Sequence, residues 1–399
     1  MSNSKQPANV PCRIFAIGVG LMLASFALCA EPYLPTLDST VLERLPLQAN
    51  NQSASALNQL RTTVRERPAD AEAAAQLAEL YFDTAMATGD PRYAGYARAV
   101  VAGYPLALTP ALLLQRGMLQ QYQHNFEAAL KDFEDALAQD PQLAAAHAWR
   151  GAIYLVQANY KAADAECAAL LRMERRALWG ACKGLVQAYG GQLDAAYATL
   201  AQALPGSQQP GNRLWLLTRM AEVSAWKQQP TQAEEHYRAA LALGIDDSYL
   251  LAAWSDFLLD QKRYQEVAER LAKWEASDPL LLRLALAQRL LGLPEAGRSA
   301  QLLGDRFAAA TLRGDTTHRA EEARYQLYLR QNAKEAQRLA ALNFAVQREP
   351  RDARILLEAA IATGDLAAAQ PARDWLQSSG FEDARLHKLA QQTGKLAKP

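Results

Sequence analysis

Four matched positions at a single offset constrain this chain more than any other feature. Gly117 and Gly151 lie 34 residues apart, and so do Asn125 and Asn159, Phe126 and Tyr160, and Ala129 and Ala163. The next copy follows at 33, from Gly151 to Gly184, Tyr160 to Leu193 and Ala163 to Ala196. After the loop "LPGSQQPGN" the spacing of 34 resumes, from Ala233 to Val267 and from Ala240 to Trp274. A fixed period of this length marks a stack of supersecondary units, each too small to bury its own apolar face.

Within each unit the pattern is helical. Ala, Leu, Gln, Glu and Arg dominate from Ala54 onward, apolar residues recur at three and four, and no alternating run rich in Val, Ile and Thr appears. Small residues recur midway along the first helix of a unit, at Gly117, Gly151, Gly184 and Ala221. The turn and second-helix start read "HNFEAAL", "ANYKAAD", "GQLDAAY", "QPTQAEE" and "KRYQEVA". Asp140 with Pro141 and Asp278 with Pro279 stand between units, where proline ends one helix and opens another.

These residues resemble the tetratricopeptide repeat, a helix-turn-helix unit, and the resemblance runs from about Ala54 to Leu389. It implies an all-α, right-handed superhelix of about eight stacked antiparallel hairpins, with a lone helix from Ala54 to Arg67 as the N-terminal cap. The units are clearest between Pro110 and Trp274 and degenerate over "LLLRLALAQRLLGLPEAGRSAQLLGDRF", and "AMATGDPRYAGY" disturbs the unit before Gly103. The expected organisation is a signal peptide over 1–30, an extended leader over 31–53, repeats over 54–279, degenerate helical repeats over 280–391 and a tail over 392–399.

The N-terminal expectation has its own basis. Lys5 and Arg13 precede the apolar run from Ile14 to Cys29, and Ala30 is followed by Glu31 and Pro32. A positive flank, a short apolar stretch and small residues at its end form a secretory signal. The run is shorter than the roughly 20 residues of a spanning helix, so cleavage near Ala30 is expected, with an uncleaved membrane anchor as the alternative. A periplasmic or secreted chain follows from the first reading, and an inner-membrane anchored one from the second.

The resemblance further implies that first-helix residues line a concave groove for a peptide or folded partner. Mapping from the small residues places Trp149, Tyr189, Trp215, Arg219, Glu222, Tyr249 and Asp256 near it, and the alternative for each is ordinary packing. Trp, Tyr and Arg are the residues that dominate interface energies. The positions at which some repeat proteins clamp a chaperone tail carry Leu114, Met118, Ala148 and Ala152, which argues against that function. Arg116, Arg150 and Lys183 each directly precede a small residue and are expected to be structural, with packed stems and exposed heads.

Cleavage near Ala30 leaves Cys167 and Cys182 as the cysteines of the mature chain. In this architecture Cys167 falls late on a second helix and Cys182 on the first helix of the next unit, which is its packed neighbour. Export makes the pair a disulfide candidate, and two unpaired buried thiols are the alternative.

For chemistry the sequence offers little. The five histidines, His124, His147, His236, His318 and His387, stand in no metal-ligand spacing, and phosphate-binding, nucleophile-elbow and CxxC motifs are absent. "RGDTTHRAEEARY" sets His318 and Glu322 four apart, but a helix start capped by Asp315, Thr316 or Thr317 is the simpler reading. Lys plus Arg and Asp plus Glu are each 42, so no basic surplus argues for nucleic acid. The expectation is a non-enzymatic exported scaffold for other proteins in a bacterial envelope, without cofactor or metal. The alternatives are a membrane-anchored scaffold, or an enzyme or ligand sensor with its site between 280 and 325.

Overall fold

The computed structural model describes residues 52–394. The expected signal peptide, the leader up to residue 51 and the last five residues of the expected tail lie outside the described residues. What is described is helical throughout, and the order of helices is that of tandem hairpins.

A solitary α1 (Gln52–Glu66) precedes α2 (Ala71–Thr88) and α3 (Pro91–Ala102), α4 (Pro110–Tyr122) and α5 (Phe126–Gln139), and α6 (Ala144–Val156) and α7 (Tyr160–Arg172). Next come α8 (Arg176–Tyr189) and α9 (Leu193–Ala203), α10 (Pro210–Trp226) and α11 (Pro230–Leu241), and α12 (Ser248–Asp260) and α13 (Tyr264–Leu271). The remaining pairs are α14 (Asp278–Leu291) with α15 (Ala296–Leu312), α16 (Arg319–Tyr328) with α17 (Ala333–Val346), and α18 (Pro350–Thr363) with α19 (Gln370–Ser379), followed by α20 (Ala384–Gln392). The hairpins among the described residues thus number nine, where the sequence suggests about eight. The stretch that reads as degenerate contributes a regular pair, α14 and α15.

Helix starts follow from local chemistry. Asp70, Thr109, Asn159, Asp247 and Asn332 accept hydrogen bonds from backbone N–H groups of the first turn, and Pro91, Pro110, Pro210, Pro230 and Pro350 sit in first turns where no intrahelical donor is lost. The turn inside the hairpins is repeated as well. His124, Ala158, Gly191, Gln228, Lys262 and Gln331 all stand at positive φ, between 56° and 73°. One left-handed residue reverses the chain there in hairpin after hairpin, even where the sequence supplies a side chain that resists it.

Packing inside the hairpin explains the small residues. A Cβ on Gly117 would lie 2.4 Å from the ring of Phe133, which is fully buried on α5. Burial of such a side chain contributes roughly 1.5–3 kcal/mol, and only glycine lets the helices approach closely enough to obtain it. At Gly151 the arrangement differs, because Cys167 takes the place that Phe133 holds one unit earlier. The space over Gly151 is filled by Cys182 Sγ, 3.2 Å from where a Cβ would be, and the two sulfurs are bonded, joining α7 to α8.

The basic ladder is structural, as its position suggests. Arg116 pairs with Asp132 at 2.7 Å, Arg150 with Glu166 at 3.0 Å and Lys183 with Asp164 at 2.6 Å, so each ties a first helix to a second helix.

The solenoid also folds back on itself. Buried side chains of α6–α10 share one apolar cluster with those of α16–α20, among them Tyr189, Leu200, Phe344, Trp375 and Phe381. Trp375 Nε1 donates to Tyr160 Oη at 2.8 Å, Arg348 N to the Val156 carbonyl at 2.6 Å, and Leu193 N to Glu382 Oε2 at 2.9 Å. At the opposite turn of the stack the end of α2 meets the starts of α12 and α14, where the Ser248 hydroxyl donates to the Met86 carbonyl. First helices from distant repeats therefore face one another.

Candidate functional site

Helical spacing brings one wall of the inner cleft together. On α12, Tyr249, Ala252, Asp256 and Asp260 follow one another at three or four and share a face. On α18, Arg351, Arg354 and Glu358 do the same, and on α20 the corresponding face carries Arg385, Lys388 and Gln392. The cleft between these faces has a volume of about 420 Å³, and Tyr189, Glu222 and Trp226 also line it. The small side chains of Ala252 and Ala253 leave the room.

Three ion-pair groups make its walls. In the first, the Arg219 guanidinium lies 4.7 Å from the Trp215 ring and 4.3 Å from the Tyr249 ring, and Nη1 donates to Glu222 Oε2 at 2.8 Å. The Tyr249 hydroxyl donates to Glu222 Oε1 at 2.6 Å, and Tyr189 Oη to Glu349 Oε1 at 3.2 Å. Arg351 closes on Glu349 at 2.6 Å. In the second, Asp256 receives Arg283 at 2.6 Å and Arg324 at 2.7 Å, while Arg283 also reaches Glu321 at 3.1 Å. Arg283 is 1% exposed and donates as well to the carbonyls of Pro279 and Ala252. In the third, Asp260 holds Arg354 at 2.9 Å and Arg385 at 2.5 Å, which join α12 to α18 and α20.

Ionisation follows from this geometry. Burial by itself would raise the Asp256 carboxyl, but Arg283 and Arg324 overcome it and hold the group well below the usual carboxylate range. Glu349 is likewise held down against its burial, by Arg351 and Arg219. Burial pushes the hydroxyls of Tyr189 and Tyr249 up, so both stay protonated donors. Carboxylates fixed as anions and phenols fixed as acids suit hydrogen bonding and charge recognition near neutral pH rather than proton transfer.

Of the seven residues the sequence places near a groove, Tyr189, Glu222, Tyr249 and Asp256 line this cleft, and Arg219 lies beneath it. Trp215 is a stacking partner of Arg219 outside the lining. Trp149 is not among the lining residues of this cleft: its ring packs edge-on at 6.1 Å against Phe82, the ordinary packing that the sequence leaves as its alternative. Residues of α18 and α20 line the cleft as well. Their charged residues escaped the groove mapping, although Arg351, Arg354 and Glu358 form a charged stripe at helical spacing that the sequence displays.

Between residues 280 and 325 a further cleft, of about 410 Å³, is lined by Gln301, Asp305, Phe307, Glu322 and Tyr325 together with Arg330 and Asn332. Arg283 and Glu321 belong to the ion-pair group at Asp256, and among the described residues no cluster of His, Cys, Asp and Glu could hold a metal ion. His318 faces Asp315 at 3.8 Å rather than Glu322. Asp315 does not cap α16: it accepts from Thr317 N at 2.9 Å in the preceding turn, and His318 occupies the cap position without a side-chain bond.

Repeated helix hairpins, with close approaches at Gly117, Gly151 and Gly184 and a recurrent left-handed turn, make an all-α solenoid of tetratricopeptide-like hairpins. No protein-family model matches the sequence, and no curated protein matches it. Among solved structures, the chain is similar to PilF of Pseudomonas aeruginosa, at 20% identity over 50% of this chain and 92% of that one, with a TM-score of 0.38. It is similar to a tetratricopeptide repeat protein from Parabacteroides merdae, at 15% identity over 63% and 91%, with a TM-score of 0.39. The human IFIT1 dimer with m7Gppp-AAAA matches at 14% identity over 86% of each chain, with a TM-score of 0.43. At such scores the superpositions carry nothing about activity, and the architecture stands on its own hairpin geometry.

Proposed function

We propose that this chain is an exported, non-catalytic adaptor that holds a segment of a partner protein in the cleft between α12, α18 and α20. The observation that carries the reading is the cleft itself, a concavity of about 420 Å³ whose aromatic and charged walls come from distant repeats and are already locked by ion pairs. A preorganised site of aromatics and arginines keeps the ordering cost of binding low. The bond between Cys167 and Cys182 supports export, because such bridges persist in oxidising compartments. The order of charge, apolar run and small residues before Glu31 supports the same destination. Among the described residues no helix is long and apolar enough to cross a membrane.

A photo-crosslinking side chain at Lys388, exposed at the rim, tests the reading against one at Leu312, which is 90% exposed on the outer surface. In cells, a discrete protein adduct at 388 and none at 312 is expected. Identical labelling at the two positions defeats the cleft assignment, and a mature chain that retains residues 1–30 defeats the cleaved export signal.

A further inference from the structure

The two signs of charge are not equally accessible in the cleft between α12, α18 and α20. Arg351, Arg354 and Arg385 keep 50%, 41% and 42% of their side-chain surface exposed, and Lys388 is exposed at the rim. The six carboxylates among the lining residues lie deeper, from 5% exposed at Asp383 to 29% at Asp256. A ligand entering the cleft therefore meets guanidinium and ammonium groups first.

Hydrogen bonding sharpens the asymmetry. Asp260 is taken by Arg354 and Arg385, Asp383 by the backbone N–H and side chain of Arg385, and Glu358 by Arg354 and the Tyr328 hydroxyl. Arg351 gives Nε and Nη2 to Glu349 Oε2 at 3.0 and 2.6 Å, and its Nη1 has no acceptor among the described residues. Lys388 Nζ has none among them either. An anionic group would use these spare donors, whereas a cation would have to displace an arginine from its carboxylate.

The spare donors sit on different helices. Because Arg354 and Arg385 share Asp260, the charged faces of α18 and α20 meet there, and Arg351 and Lys388 each stand one helical turn from that meeting point. Two separated cations suit several carboxylates along a chain better than a single carboxylate at its end. Trp226, Ala252, Ala253 and Leu389 line the same cleft and add apolar surface.

We propose, on the adaptor reading, that the partner segment held in this cleft is acidic, with side-chain carboxylates on Arg351 Nη1 and Lys388 Nζ and apolar side chains against Trp226 and Leu389. The positions of a chaperone-tail clamp play no part in it, since Leu114, Met118, Ala148 and Ala152 stand there.

Fluorescence anisotropy on the full chain provides the test, with a labelled, C-terminally amidated peptide of alternating glutamate and alanine, its lysine counterpart, a neutral serine-alanine peptide with a free C-terminus, and oligouridylate. The glutamate peptide is expected to bind, less tightly as salt rises, and the other three not to. Lys388→Glu, at an exposed position, should weaken binding about tenfold at an unchanged unfolding temperature. Arg351→Gln together with Glu349→Gln removes the cation and its buried counter-charge in one step and should weaken binding about tenfold, whereas Glu349→Gln alone should tighten it. Absence of glutamate-peptide binding, equal binding of the lysine peptide, or unchanged affinity in Lys388→Glu overturns the assignment. So does equal binding of the neutral peptide, which would give the donors to a chain end, or tighter binding of oligouridylate, which would give them to nucleic acid. Any of these results beside a discrete adduct at 388 leaves the adaptor reading standing, and glutamate-peptide binding without that adduct is the reverse case.

Discussion

Trp375 and Tyr160 are joined by a 2.8 Å hydrogen bond across 215 residues of sequence, which makes the end of the solenoid a neighbour of its middle. The indole is 4% exposed and also meets Phe344 and Phe381 at 6.4 and 5.4 Å. Closure of the stack therefore rests on apolar burial with one directional bond inside it.

Trp375→Ala should cost about 3–5 kcal/mol, the range for deleting a large buried aromatic, and Trp375→Phe about 1 kcal/mol plus the loss of ring area. Urea unfolding gives both numbers. Hydrogen exchange in the alanine variant should rise in α18–α20 and, through the shared cluster, in α8. Exchange confined to α19 would show that closure does not depend on this contact.

The left-handed turns make opposite predictions at two equivalent positions. Gly191 stands at φ 73°, and a Cβ there would lie 2.3 Å from the Gly380 carbonyl oxygen. Gly191→Ala should therefore destabilise by about 2–3 kcal/mol, from backbone strain together with overpacking at the closure contact. Ala158, at φ 60°, bears the same strain already, and Ala158→Gly should gain about 0.5 kcal/mol. Thermal unfolding of the two variants checks the signs.

Removing the bridge between Cys167 and Cys182 should lower stability by about 3 kcal/mol, the chain-entropy value for a loop closed over a separation of 15 residues. Mass spectrometry of the chain purified without reductant should find no free thiol at either position. The double alanine variant should show faster exchange at the α7–α8 junction while the ion pairs at Asp260 remain.

Burial pushes the His124 imidazole down to about 4, and the nearby Arg351 charge acts in the same direction against Glu349 and Asp315. The unfolded chain then binds a proton that the folded chain does not between about pH 6.5 and 4. Stability from this group is accordingly full above pH 6.5 and is lost as the pH falls toward 4. Unfolding free energies measured across that window should decline with acidification, and His124→Gln should show a shallower decline.

The period of 34 between Gly117 and Gly151, the small residues, the capping polar residues and the first-turn prolines determined the hairpins, because each acts within a few residues or between adjacent helices. The cysteine pair was legible for the same reason: second and first helices of successive units must touch. Curvature was decided only in three dimensions. It is the sum of small rotations set by side-chain volumes at every interface, and no single residue encodes it. That sum brings Arg354 and Arg385 onto Asp260, packs Trp149 against the N-terminal core, and sets α18 and α20 against α12 along the cleft. Gln115 looked like one more helix-forming glutamine in the sequence. Only the packing around it leaves its Oε1 buried without a hydrogen-bond partner.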